Sequence, residues 1–62
     1  MLNTPEFYTE IGKAMAKARD QHDEARAAFH KNHFSRARGL ESGRDKEVAT
    51  DLFDRAYMAE RR

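Results

Sequence analysis

The strongest constraint on this chain is a stripe of apolar and histidine positions, Phe7, Ile11, Ala14, Ala18, His22, Ala25, Phe29 and His33, with no proline or glycine after Gly12 to interrupt it. Steps of three and four residues keep these side chains on one side of a 3.6-residue turn. The stripe therefore specifies a helix, and its polar complement of Lys13, Asp20, Glu24 and Lys31 faces water.

Where that helix begins and ends is written locally. Thr4 can cap free amides, Pro5 suits the first helical position, and Glu6 meets the positive end of the helix dipole. Gly12 costs roughly 1 kcal/mol relative to alanine, which the alanine-, lysine- and arginine-rich stretch after it tolerates. Arg38 followed by Gly39 reads as a basic last turn with a left-handed cap, and Leu40 is expected to fold back as a hydrophobic plug. Ser42-Gly43-Arg44-Asp45 fits a capping box that opens a second helix. On that helix Val48, Ala49, Leu52, Phe53, Ala56, Tyr57 and Ala59 cover nearly half the circumference, so it should touch two neighbours.

These signals predict an all-α chain folded as an antiparallel helical hairpin in one domain, with helices over 5–38 and 44–60 and a turn over 39–43. The first arm would be about 50 Å long and the second about 25 Å. The short arm covers Ala25 and Phe29 and leaves Phe7, Ile11 and Met15 without intramolecular cover, so self-association into a bundle is expected. The alternative is a compact three-helix bundle with a break near Asp20, in which Asp20 caps a helix starting at Gln21. In the continuous helix His22 lies at the edge of the seam, and Phe34 projects away from the stripe.

Composition narrows the function. Sixty-two residues lie near the lower limit for a self-sufficient core, which makes uncovered apolar surface costly. The mean hydropathy of -1.04 and the charged fraction of 37% resemble a disordered chain, but the regular apolar spacing and ten alanines argue for a solvated helical protein. The chain has no cysteine, so neither a disulfide framework nor a thiolate metal site is available. No apolar run approaches the roughly 20 residues of a membrane span, and the N-terminal residues do not read as a signal peptide. A cytoplasmic protein with no membrane association is expected.

Chemistry is sparse. His30 and His33 lie three apart, close enough to share an ion, but two ligands outside any HExxH pattern are too few for a metal site. Ser42 is better explained as a cap than as a nucleophile, there is no glycine-rich phosphate loop, and a hairpin has no walls for a dry pocket. No catalytic residue, metal, cofactor or small-molecule substrate is expected.

Two binding classes remain. Residues 26–46 hold six basic side chains against two acidic ones, while the rest of the chain holds six against nine. Lys31, Arg36, Arg38, Arg44 and Lys46 around the turn are candidate nucleic-acid contacts, with Phe34 available to stack on a base. Glu41 and Asp45 dilute that cluster. Protein recognition accounts for more of the sequence, with Phe7, Ile11, Met15, Phe34, Phe53 and Tyr57 as candidate interface residues. Glu47, Asp51 and Asp54 form an acidic stripe, with Met58 among them, on the back of the second helix. The expected function is a non-enzymatic adaptor or inhibitor that binds a protein partner and itself. A small phage or mobile-element protein that blocks a host nucleic-acid-handling complex fits this description, with the acidic stripe occupying a basic surface. The alternative is a nucleic-acid-binding hairpin.

Overall fold

In the computed structural model, which describes residues 1–61, Thr4 opens the first helix as its sequence predicts. It is extended (φ -73°, ψ 157°), and its hydroxyl accepts the Phe7 N–H at 3.1 Å. Helix α1 runs Pro5–Asp20, α2 Glu24–Gly39 and α3 Arg44–Glu60. The class is all-α, and of the two expected architectures the three-helix one with an early break is realised.

The continuous helix over 5–38 is thus corrected; the break follows Asp20, as the alternative expects, and only the capping residue lies three positions later. His22 adopts a left-handed conformation (φ 57°). Its N–H donates to the Arg19 carbonyl at 3.0 Å, and the Asp23 N–H donates to the Ala18 carbonyl at 2.9 Å. This pair of bonds is a Schellman closure, which satisfies carbonyls that a helix end leaves free. Asp23, rather than Asp20, then caps α2 by accepting the Arg26 N–H at 3.0 Å. The turn needs no glycine because histidine visits the left-handed region more readily than most side chains. His22 itself is exposed in the turn, not seated at a seam.

The second turn also differs from expectation. Gly39 is the last helical residue of α2, and Leu40 follows in a right-handed conformation with 69% of its surface exposed, so it plugs nothing. Gly43 supplies the left-handed residue (φ 59°) and is itself the N-cap of α3, with no side-chain cap bond. Ser42 contributes only its carbonyl, which accepts the Asp45 N–H at 3.2 Å. The Asp45 carboxylate does not reach back along its own helix, as a capping box requires, but pairs with the Met1 amino group at 3.2 Å.

Helix α1 packs chiefly on α3, and the crossing is close because of Gly12. A Cβ at Gly12 would lie 2.5 Å from the Phe53 carbonyl oxygen and 3.1 Å from the Ala56 Cβ. The residue that costs α1 some helix propensity therefore allows the two backbones to touch. Ile11, Met15, Ala18, Ala27 and Phe53 form one buried cluster, and Tyr8, Ala37 and Ala49 a second. Phe34 joins the two by stacking on Phe53, with ring centroids 4.0 Å apart and 18° between planes. At the same end the Arg38 guanidinium donates to the Thr50 hydroxyl at 2.6 Å and ties α2 to α3. Helix α3 touches two neighbours, as its wide apolar face predicts, and the molecule measures 34 × 22 × 14 Å.

Folding back at residues 21–23 reverses which part of the stripe is covered. Ile11 and Met15, expected to await a partner, are 7% and 6% exposed beneath α3. Burying a large apolar side chain is worth about 1.5–3 kcal/mol, so covering them from within the chain is a decisive gain for a fold of this size. Phe29, expected to be covered, is 62% exposed.

Glu41 fastens the N-terminal segment to the second turn. It is 3% exposed, and its carboxylate accepts the Tyr8 hydroxyl at 2.6 Å and the Leu2 and Asn3 N–H groups at 2.8 and 3.1 Å. The Tyr8 bond first, then those two amides and the nearby Met1 ammonium, hold the Glu41 carboxyl below its ordinary pKa against the opposing effect of burial. Burial, followed by the bond to Glu41, pushes the Tyr8 phenol above its ordinary pKa, with Asn3 acting in the other direction.

Candidate protein-binding surfaces

Helix α3 turns Ala49, Phe53 and Ala56 inward, which fixes what its opposite side must present. Glu47, Asp51, Asp54 and Met58 follow one another at steps of four, three and four residues and form a single outward line about 16 Å long. All four are exposed, Met58 to 64%. Asp51 pairs with Arg55 at 3.0 Å. An exposed pair of this kind holds its partners weakly, so the carboxylate stays available to a stronger cation. This line suits a partner surface that carries arginine or lysine with an apolar contact at one end.

The other candidate interface residues are placed differently. Ile11, Met15 and Phe53 are spent in the chain's own core, and Phe34 is half-buried against Phe53 and Tyr8. Tyr57 is half-buried and accepts a 2.7 Å hydrogen bond from Arg61. Phe7 is half-buried, with edge-on contacts to Tyr8 and His33 at 5.2 and 5.5 Å. Phe7, with the edge of Ile11, lies beside a continuous apolar surface. A shallow groove between α1 and α2 has Phe7, Ile11 and Ala14 on its floor, Phe29, His30 and His33 along the α2 side, and Glu6 and Glu10 along the α1 side.

The basic residues are dispersed by the fold. Arg38 is half-buried and bonded to Thr50. Arg36 lies about 140° around α2 from Lys31 at 100° per residue, and it flanks Phe29 and His33. Arg44 is exposed at the start of α3, and Lys46 is half-buried. Phe34, the ring expected to stack on a base, is already stacked on Phe53.

Among the described residues, no group of three or more histidine, aspartate or glutamate side chains is placed to hold a metal ion, and no helix is long and apolar enough to cross a membrane. Three features of the structure were not anticipated from the sequence: the exposure of Phe29, the burial of Glu41 and the close approach at Gly12. A signal for the first was present in Asp23-Glu24, a cap followed by a first-turn acid. Comparison with known proteins finds no matching family model, curated protein or solved structure.

Proposed function

We propose that the chain is a small, cytoplasmic, non-enzymatic protein-binding module of adaptor or inhibitor type, which presents the acidic line of α3 to a basic surface on its partner. The observation that carries this reading is the continuity of Glu47, Asp51, Asp54 and Met58 on one exposed helix face, the one candidate set that folding leaves together at the surface. A line of carboxylates about 10 Å long competes with phosphates for arginine and lysine side chains. The basic surface of a nucleic-acid-handling complex is therefore the class of partner it fits, and inhibition is by occupation. Long-range attraction speeds the encounter and weakens beyond about 8 Å at physiological salt.

The test is capture of partner protein by the tagged chain from native-host lysate after nuclease treatment. Replacing Glu47, Asp51 and Asp54 with lysine should reduce capture at least tenfold, while replacing Arg36, Arg38 and Arg44 with glutamine leaves it unchanged. The opposite pattern, with capture lost on nuclease treatment, overturns the reading in favour of nucleic-acid binding.

A further inference from the structure

We infer that the α1–α2 groove is a self-association face and that a second copy of this chain occupies it. Glutamates line one side of the groove and an arginine stands beside the other. Glu6 and Glu10, the latter 3.8 Å from Lys13, line the α1 side, while Arg36 flanks Phe29 and His33 on the α2 side. Ala14, whose side chain is small, lies on the floor, and the ring of Phe29, which is 62% exposed, stands on the α2 side.

A two-fold axis parallel to the groove sets α1 of each copy against α2 of the other at the same height. The contact between Phe7 and His33, with centroids 5.5 Å apart, fixes the heights. Glu6 then faces Arg36 of the second copy, and Phe29 lies over the shallow floor at Ala14 and Ile11 of the second copy. Both contacts are made twice, because a two-fold interface uses the same patch on each side. At the other end of the groove Lys17 faces Arg26 of the second copy. Arg26 is already paired with Asp23 at 3.5 Å, which offsets that like charge. The line Glu47, Asp51, Asp54 on α3 takes no part, so a dimer presents two acidic faces.

An interface no larger than one side of a 34 × 22 × 14 Å molecule is at or below the standard size of about 800 Å² per partner. Area of this size does not by itself set the affinity, so the association is followed over a wide range of concentration. Sedimentation equilibrium across protein concentrations from micromolar to millimolar tests it. Phe29→Ala should raise the dimer dissociation constant at least tenfold without changing the circular dichroism spectrum of the dilute monomer. Glu6→Arg and Arg36→Glu should each weaken the dimer when alone and form a heterodimer when mixed, since each charge then meets its opposite. A strict monomer at millimolar concentration overturns the inference, as does a dimer that neither Phe29→Ala nor the charge changes weaken. None of these results bears on the acidic face of α3, which is tested by partner capture.

Discussion

The Tyr8 hydroxyl donates a 2.6 Å hydrogen bond to the Glu41 carboxylate, so the first turns of α1 are fastened to the loop between α2 and α3, 33 residues away in sequence. Both groups are buried, and the carboxylate is completed by the Leu2 and Asn3 amides. The carboxyl, with its folded-state pKa depressed, contributes stability that is fully present above its unfolded value near 4.5 and is lost as pH falls through the folded value. The Tyr8 phenol has its folded-state pKa raised, so its contribution is present below about pH 10 and is lost as pH rises further. Thermal melts between pH 2 and pH 11 should fall off at both ends. Tyr8→Phe should destabilise the protein by about 1–2 kcal/mol at pH 7, because a buried carboxylate loses a donor, and should flatten the acid limb.

The left-handed residue between α1 and α2 is His22, with φ at 57°. Glycine adopts that conformation without the steric cost of a Cβ, so His22→Gly should stabilise the fold by about 0.5–1 kcal/mol. The melting temperature should rise by a few degrees. Were residues 5–38 one helix, the same substitution would cost roughly 0.3–0.5 kcal/mol instead, so the sign of the change reports the turn.

Gly12 and Gly39 should respond oppositely to alanine. A Cβ at Gly12 meets the Phe53 carbonyl oxygen at 2.5 Å, whereas one at Gly39 has nothing within 4 Å. Overpacking at the crossing should outweigh the gain in helix propensity and destabilise Gly12→Ala by about 1–3 kcal/mol. Gly39→Ala should be neutral or slightly stabilising. Urea denaturation of the two variants makes the comparison.

Phe34 and Phe29 form a second contrasting pair. Phe34 bridges the two core clusters, while Phe29 stands in solvent on the dilute monomer. Phe34→Ala should cost about 2–3 kcal/mol, below the range for a fully buried ring. Phe29→Ala should change stability by less than about 0.5 kcal/mol at concentrations well below the dimer dissociation constant. Chemical denaturation at low protein concentration separates these outcomes.

The helical class, the Thr4 start and the outward acidic line were legible because each depends on local spacing. Thr4-Pro5-Glu6 carries its own capping chemistry, and the period of Glu47, Asp51 and Asp54 sets their common face whatever the helix packs against. The turn at residues 21–23 was harder to read because its left-handed residue is a histidine and because Ala25 and Phe29 continue the earlier period by coincidence of register. Once the chain bends there, the inward side of α2 rotates to Ala27, Phe34 and Ala37, and Phe29 is left outside. The role of Glu41 was hidden for a different reason. Its partners Leu2, Asn3 and Tyr8 lie more than 30 residues away, and no local pattern announces a contact of that range.

The turn at residues 21–23 is the premise from which the buried core, the open groove and the exposed acidic face all follow. Nuclear Overhauser contacts between the Tyr8 and Phe34 rings, measured on dilute protein, test it most directly. Their centroids lie 6.0 Å apart in the three-helix arrangement, so cross-peaks are predicted. In an unbroken helix the two residues would be about 39 Å apart at 1.5 Å per residue. The absence of those cross-peaks, with helical amide contacts running uninterrupted through His22, would contradict the account.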